Sequence, residues 1–289
     1  MKIRALHIFI AAAVLLAVGI FAMFITRIKT RTGSDKITLP SIDDVPREYW
    51  AKLAQKKLFF GHKSVGYNII DGITDIINER DYIKLNIIEA REPAVFEKPV
   101  FAHSQVGINT DPSSKIKHFM EIMDAGVGGR VDIAFFKFCY VDIMRDSDPQ
   151  KIFEDYSAAL EELKDRYPNT KFLHVTVPIR SVPKGAKRNL KQTVKLLIGR
   201  PGFLEDNMMR RRYNDLLNNA YSKAGHFFDL ALIESVNKGG FRCHAVKRAE
   251  KVYVMAPEYT EDGGHLNNRG RKLVAEQLLI NLAEMAGRS

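Results

Sequence analysis

A serine at a strand-to-helix turn and an aspartate–histidine pair near the C-terminus are the residue types needed for acyl transfer. The stretch FFGHKSVGYNII places Ser64 after a short apolar run and before a segment with helical spacing. Asp262 and His265 are three residues apart, with two glycines between them. A serine hydroxyl becomes a nucleophile when a histidine accepts its proton and an aspartate orients that histidine. These three residues are therefore our candidate catalytic group.

Each of these signals also has a plain structural interpretation. Serine is a preferred helix N-cap residue, so Ser64 could simply begin the helix that follows it. Asp-x-x-His alone is a weak signal, because the same spacing occurs in loops that only precede a helix. The combination favours catalysis, since Asp262 and His265 supply the two partners that Ser64 would need.

Apolar runs alternate with amphipathic segments from about residue 46 to the end of the chain. The predicted strands are 57–61, 84–89, 131–138, 172–177 and 227–230. The predicted helices are 48–56, 65–79, 113–124, 149–167, 206–224 and 267–284. Apolar strands separated by helices predict an α/β fold of three layers (α/β/α) with a parallel, flavodoxin-like sheet.

Polar clusters follow the predicted strands where an active site would be built. In parallel α/β sheets, ligands bind in the crevice beyond the carboxyl ends of the strands. The clusters contain, in chain order, Ser64, then Gly107 and Asn109, then Asp142, and finally Asp262 and His265.

These blocks resemble the SGNH (GDSL-type) hydrolase superfamily over roughly residues 57–285. The resemblance implies a serine hydrolase in which Ser64 is the nucleophile and Gly107 supplies an oxyanion N–H. It also implies that Asp262 and His265 complete the triad. Further matches to the final block are Leu266, Asn267 and Gly270.

The chain departs from that family pattern at two positions. Lys63 stands where an aspartate usually precedes the serine, and Val141 stands where an asparagine usually donates to the oxyanion. Asn109 is our first candidate for the missing donor and Tyr140 the second, although Asn109 could instead form an Asx-type turn before a helix. Lys137 lies inside an apolar run, where it either points to the site or extends to solvent at the strand end.

Composition limits the classes of function. The chain has 289 residues, 46% of them hydrophobic, and a formal net charge of +10, about half of which lies before residue 37. The remainder is only mildly basic, so we expect no nucleic-acid partner. The histidine spacing predicts no metal site, and no cofactor is expected. Cys139 and Cys243 are too few for a disulfide framework, although a single bridge is possible.

The N-terminus predicts a membrane anchor. Residues 6–25 form a nearly continuous apolar run of about twenty residues, enough to span a bilayer as a helix. We predict a transmembrane signal anchor at 1–26, a juxtamembrane linker at 27–45 and an α/β domain at 46–289 on the extracytoplasmic side of the cell membrane. A cleaved signal peptide is the alternative. Residues 237–260 look like an insertion, either a substrate-facing flap or a surface hairpin.

Together these expectations describe an exported, membrane-tethered serine esterase acting on an acylated small molecule or glycan, with acetyl as the plausible acyl group. The alternatives are an O-acyltransferase of the same fold and a non-catalytic module that binds glycans in the cell envelope. Val141 and Lys63 favour the binding module, whereas Ser64, Asp262 and His265 favour the enzyme. The sequence leaves the oligomeric state open.

Overall fold

The computed structural model describes residues 29–183, 202–247 and 249–288, which form ten strands and seven α-helices. The strands are β1 (Arg31–Lys36), β2 (Lys57–His62), β3 (Ile87–Glu89), β4 (Val100–Gln105), β5 (Ile133–Phe136), β6 (Lys171–Phe172), β7 (His174–Val175), β8 (Phe227–Phe228), β9 (Phe241–Lys247) and β10 (Glu250–Tyr253). The helices are α1 (Arg47–Leu53), α2 (Val65–Glu79), α3 (Pro112–Ile122), α4 (Pro149–Arg166), α5 (Gly202–Tyr221), α6 (Leu230–Ser235) and α7 (Asn268–Gly287).

Five parallel strands form the central sheet, in the order β3-β4-β2-β5-β6. A single residue, Leu173, separates β6 from β7, and its N–H donates to the carbonyl of Ala134 on β5 at 3.1 Å. β7 then pairs in parallel with β8, so the parallel arrangement extends by one more strand. Apart from β3 at the edge, this is the strand order of a flavodoxin-like sheet. The predicted parallel α/β architecture is confirmed.

Helices flank both faces of the sheet because successive side chains of each strand point to opposite sides. Phe60 of β2 packs with Ile69 of α2 and Val274 of α7 in one core. The neighbouring residue, Phe59, stacks on Phe119 of α3 in the other core, with ring centroids 6.2 Å apart. Burial on both faces explains why β2 and β5 are continuous apolar runs in the sequence.

The central strand β4 is absent from the strands predicted from sequence. It pairs with β2 on one side and β3 on the other. Two polar residues, His103 and Ser104, interrupt its apolar pattern, although both are buried. His103 Nδ1 lies 3.0 Å from Nε2 of the buried His62, so the imidazole of His103 has a hydrogen-bond partner inside the core. The two residues named for this polar cluster, Gly107 and Asn109, follow the end of β4.

A second, antiparallel sheet has the strand order β1-β9-β10. The segment predicted as a linker supplies β1 and then Ile42, whose side chain is buried in the core. The insertion at 237–260 is a hairpin of β9 and β10, and its residues Ala245 and Val252 are buried in the same core. The hairpin interpretation of the insertion thus describes the structure, and both segments pack onto the α/β domain.

Among the described residues, no helix is long and apolar enough to cross a membrane. The predicted span at residues 6–25 lies outside the described part of the chain. The anchor at 1–26, and the role of 27–45 as its connection to the domain, therefore stay predictions.

Candidate active site

Ser64 lies in a strained turn between β2 and α2. Its backbone has φ 52° and ψ −108°, a conformation that residues with side chains rarely adopt. The N–H of Gly66 donates to the carbonyl of Lys63 at 3.0 Å, so residues 63–66 form a type II′ turn with Ser64 at the position that favours glycine. Such strain costs about 1–3 kcal/mol and concentrates at functional sites. A turn that only connected β2 to α2 would be more stable with glycine here.

The hydroxyl of Ser64 contacts a histidine and not the helix that follows it. Ser64 precedes α2, but its side chain makes no capping hydrogen bond to that helix. Ser64 Oγ lies 2.6 Å from His265 Nε2, and His265 Nδ1 lies 2.6 Å from Asp262 Oδ2. Because Nδ1 faces a carboxylate, it carries the ring proton, and Nε2 can accept the serine proton. The geometry therefore connects the three candidate catalytic residues and does not match a simple N-cap.

The loop that carries Asp262 and His265 is held by short hydrogen bonds. Asp262 Oδ1 accepts from the backbone N–H groups of Gly264 and His265, both at 2.8 Å. Burial would raise the pKa of Asp262, but the hydrogen bonds from the His265 ring and from these N–H groups outweigh burial and hold that pKa well below its usual range. The carboxylate can therefore stabilise an imidazolium. Both side chains are about half exposed, at 46% for His265 and 54% for Asp262.

A buried lysine supports the nucleophile turn. Lys137 directly follows β5, is 1% exposed, and donates from Nζ to the carbonyl of Lys63 at 3.1 Å. The thiol of Cys139 lies 3.5 Å from the same carbonyl oxygen. Lys137 therefore points to the site, as one of its two sequence interpretations expects, and it does not extend to solvent. Cys139 and Cys243 are both free and buried, so the possible disulfide between them is not formed.

His62 packs beneath the same turn. Its side chain is fully buried, and the pKa falls to about 2 because burial, and then the nearby Lys137, disfavour the imidazolium. A Cβ atom at position 66 would lie 2.3 Å from Cγ of the His62 ring, so Gly66 is required for α2 to begin here. The first turn of α2 thus packs directly against the neutral imidazole of His62.

Glu234 of α6 is a second buried ionisable group, close enough to Lys137 to interact with it electrostatically. Its side chain is fully buried, and Oε2 accepts from the N–H of Ile179 at 2.8 Å. Burial raises the pKa of Glu234 to about 8, although this hydrogen bond and the positive charges of Lys137 and Arg210 oppose the increase. The folded protein therefore holds a proton on Glu234 that the unfolded chain would release at lower pH.

Glu234→Gln is expected to gain stability relative to the wild type as the pH rises. Between the usual carboxyl pKa and about 8, unfolding of the wild type releases a proton, so its stability falls with increasing pH. Glutamine cannot ionise. Lys137, whose pKa burial lowers, contributes in the opposite direction in both proteins, and loss of the Glu234 charge, which raises the pKa of Lys137, adds to the gain of the variant. Calorimetric Tm values measured from about pH 5 to about pH 9 should diverge in favour of the variant. A constant difference across that range would contradict the assignment.

Gly107 follows β4, but its N–H is already engaged. It donates to Nδ1 of His118 on α3 at 3.0 Å, so it is not directed toward an oxygen bound at Ser64. Gly107 has φ 56°, and a Cβ atom would lie 2.6 Å from the backbone of Lys115. In this conformation the glycine is required for close packing of the loop against α3. Its predicted role as an oxyanion donor would require His118 to release the N–H.

Asn109 lies in the same loop with its amide oriented by a buried ion pair. Its Oδ1 accepts from Lys115 Nζ at 3.0 Å, and Lys115 pairs with Asp142 at 2.5 Å, both fully buried. The carbonyl side of the amide thus faces Lys115, which leaves Nδ2 directed away from it. Asp111 caps α3 by accepting from the N–H of Ser114, so the Asx-type helix start belongs to Asp111 and not to Asn109.

Tyr140 packs against the catalytic histidine candidate. Its ring lies edge-on to the His265 ring, with centroids 5.8 Å apart. Arg210 donates to the carbonyl of Tyr140 at 2.7 Å, and the guanidinium of Arg180 lies 5.3 Å from the ring centroid. Arg180 also donates from Nε to the carbonyl of Gly263 at 3.4 Å. The structure thus places Tyr140 beside the histidine loop, where it positions His265.

Sequence reasoning misses three residues that contact this site. Asn68 accepts from the N–H of Leu266 at 3.2 Å and so ties the histidine loop to α2. It is four residues after Ser64, a helical spacing that could have suggested this contact. Arg180 follows β7, so the strand-end rule could have found it. No local pattern distinguishes His118, whose role depends on the packing of α3 against the loop after β4.

No protein-family model matches the chain, and no curated protein matches its sequence. Several solved structures are similar to it at low sequence identity. One is described as a platelet activating factor from Streptococcus pneumonia, with 17% identity, a TM-score of 0.46, and coverage of 81% of this chain and 89% of that chain.

Two further similar structures have acyl-transfer names. A GDSL-like lipase from Parabacteroides merdae has 14% identity and a TM-score of 0.44, with 88% of this chain and 100% of that chain covered. The periplasmic domain of a lipopolysaccharide acetyltransferase from Salmonella has 10% identity and a TM-score of 0.40, with 83% and 98% covered. The similar structures thus include GDSL-type proteins, the family that the sequence resembles.

Proposed function

We propose that this protein is a serine esterase that removes an acyl group from an oxygen ester. The observation that carries the proposal is the pair of 2.6 Å contacts that link Ser64 to His265 and His265 to Asp262. The strained backbone of Ser64 adds support, because strand-to-helix turns of this kind expose nucleophiles in other hydrolases. A binding module would need neither the strain nor the short contacts.

The proposed reaction proceeds through an acyl-enzyme. Ser64 Oγ attacks the ester carbonyl while its proton moves to His265 Nε2. The tetrahedral intermediate collapses, the bond to the alcohol breaks, and His265 returns the proton to the departing alcohol oxygen. Water then attacks the acyl-enzyme with His265 as the base, and the products are a carboxylic acid and free Ser64. Asp262 orients His265 and stabilises the imidazolium in both halves of the reaction.

The developing oxyanion needs hydrogen-bond donors. We propose that the N–H of Ser64 and the side-chain amide of Asn109 supply them. Both groups follow adjacent parallel strands, β2 and β4, and so lie at the same edge of the sheet. The N–H of Gly107 can contribute only after it leaves His118.

Acetyl is the proposed acyl group, and a glycan hydroxyl is the proposed alcohol. The half-exposed side chains of His265 and Asp262 support a bulky alcohol, because an open crevice does not enclose it. Full-length protein should release acetate from 4-nitrophenyl acetate and from acetylated polysaccharides, whereas Ser64→Ala should release none. Acetyl found on an added sugar, in place of free acetate, would assign a transferase. Folded wild-type protein that consumes no ester would contradict the proposal.

We also propose that residues 1–26 tether this domain to the outer face of the cell membrane. Full-length protein is expected to remain in the membrane fraction in high salt, because about twenty apolar residues anchor a helix independently of charge. The C-terminal domain should be accessible to protease added outside the cytoplasm. Recovery of a soluble mature protein that begins near Thr26 would contradict the anchor and indicate a cleaved signal.

A further inference from the structure

Three cationic residues follow strand ends on the side of the sheet that carries the proposed nucleophile. Lys63 follows β2 and directly precedes Ser64, Arg91 follows β3, and Arg180 follows β7. The carboxyl ends of these parallel strands meet at one edge of the sheet, where ligands bind. We call these three residues the cationic rim.

Within the described residues, no member of the cationic rim forms an ion pair with a carboxylate. Many other surface cations do, such as Lys151 with Asp155 at 3.0 Å. Glu89, at the end of β3, accepts from the hydroxyl of Tyr67 at 2.6 Å, and Glu92 accepts from the backbone N–H of Arg91 at 3.1 Å. Cations without acidic partners beside a crevice are available to an anionic ligand.

His118 lies between Arg91 and the loop that follows β4. Its Nδ1 accepts from the N–H of Gly107 at 3.0 Å, so the proton of the neutral ring is on Nε2. Arg91 Nη1 lies 3.0 Å from Nε2 as a close contact and not as a second donor to the ring. Burial lowers the pKa of His118, Arg91 and Lys63 lower it further, and Glu121 opposes them. In the sheet, β3 and β2 lie on the two sides of β4, so Arg91 and Lys63 follow strands that flank the loop after β4.

Arg180 borders the opposite side of the crevice. Its guanidinium lies over the Tyr140 ring, and its Nε donates to the carbonyl of Gly263 within the histidine loop. These contacts occupy Arg180 with the loop, whereas the amino group of Lys63 has no hydrogen-bond partner among the described residues. Lys63 and Arg91 are therefore the members of the rim best placed to contact a substrate.

We propose that the ester cleaved at Ser64 carries an anionic group, a carboxylate or a phosphate, which Lys63 and Arg91 bind. This inference rests on the proposed esterase function and names its substrate class. A guanidinium beside an ammonium suits such a group because the guanidinium donates two parallel hydrogen bonds to its oxygens while the ammonium adds charge. In this proposal, Lys63, which directly precedes Ser64, recognises the substrate.

Two pairs of esters test this proposal with the full-length protein. 4-Acetoxybenzoate and 4-acetoxybenzamide have the same acetyl group and size, but only the first carries a charge, on the alcohol side. In the second pair, 4-nitrophenyl hydrogen succinate carries a charge on the acyl side, whereas 4-nitrophenyl butanoate is neutral. Wild-type protein should prefer the anionic member of at least one pair in kcat/KM, and added salt should reduce that preference. The pair that shows this preference identifies whether the recognised charge lies on the acyl side or the alcohol side of the ester.

Variants assign the preference to the two side chains. Lys63→Gln and Arg91→Gln should each reduce the anionic preference about fivefold, as expected for one partly exposed charge pair. The neutral ester is the reference for each variant, and its kcat/KM should fall less than that of the anionic ester. Arg91→Lys keeps the charge and should retain most of the preference. Lys151→Gln removes one charge from the surface of α4 and is the matched control for net charge.

The outcomes separate the inference from the proposed function. Hydrolysis of all four esters with no charge preference, or with a preference unchanged in Lys63→Gln and Arg91→Gln, would overturn the anionic substrate and leave the esterase proposal intact. No hydrolysis of any ester, together with no reaction of Ser64 with a fluorophosphonate, would overturn both.

Discussion

Removal of the Ser64 hydroxyl is expected to abolish ester hydrolysis while the fold persists. Ser64→Ala should lower kcat by about 10⁵–10⁶, because no other group in the proposed mechanism can form the acyl-enzyme. His265→Ala should have nearly the same effect, and the double variant should be scarcely worse than either single variant, since nucleophile and base act as a unit. Asp262→Ala should be milder, because it orients His265 and does not itself react.

Stability measurements on Ser64 variants distinguish this interpretation from an N-cap. A capping serine would contribute about 1 kcal/mol, which alanine would lose, whereas glycine would lose only a few tenths of that amount. Ser64 makes no capping bond and has a positive φ, so Ser64→Gly should fold at least as stably as the wild type while remaining inactive. Ser222→Ala, at an exposed serine in the turn after α5, is the matched control and should keep full activity. A loss of about 1 kcal/mol in Ser64→Ala, with Ser64→Gly close to the wild type, would favour the N-cap.

Asn109→Ala is expected to lower kcat by about 10²–10³ with little change in KM. The reason is that an oxyanion donor contributes mainly in the transition state, when negative charge develops on the carbonyl oxygen. Lys115 holds the carbonyl side of the Asn109 amide, so Nδ2 is the part of the side chain that can reach the substrate.

The controls for Asn109 separate a lost donor from a disturbed loop. Asn109→Asp keeps the acceptor for Lys115 but removes the donor, and it should be at least as damaging as alanine. Asn218→Ala, an exposed asparagine on α5, should be silent. Steady-state kinetics with one ester suffice for the comparison. An unchanged kcat in Asn109→Ala would transfer the role to Tyr140, or to Gly107 once it is free of His118.

Local patterns in the sequence predict much of the fold. The helix at 65–79 is observed with the predicted bounds, because its apolar residues have an unbroken helical spacing. The strand after residue 131 is recognised by its continuous apolar run, which reflects burial on both faces. β4 is not recognised because a buried polar contact between His62 and His103 interrupts the pattern, and sequence cannot show that such a contact exists.

The residue types of the candidate site could be chosen from the sequence, but its supporting contacts could not. Ser64, Asp262 and His265 could be chosen because strand ends and short spacing limit where such residues meet. The support comes from pairs that are distant in sequence, such as Lys137 with the carbonyl of Lys63. The same is true of Gly107 and His118, since their contact depends on how α3 packs against the sheet. These contacts depend on tertiary packing, which sequence periodicity does not encode.

The most direct test of the central claim is the site of covalent modification by a fluorophosphonate. Full-length protein should be incubated with the reagent, digested, and analysed by mass spectrometry to locate the adduct. The proposed mechanism predicts one adduct, on Ser64, that is absent in His265→Ala because the hydroxyl then lacks its base. An adduct on another residue, or folded wild-type protein that never reacts, would contradict Ser64 as the nucleophile.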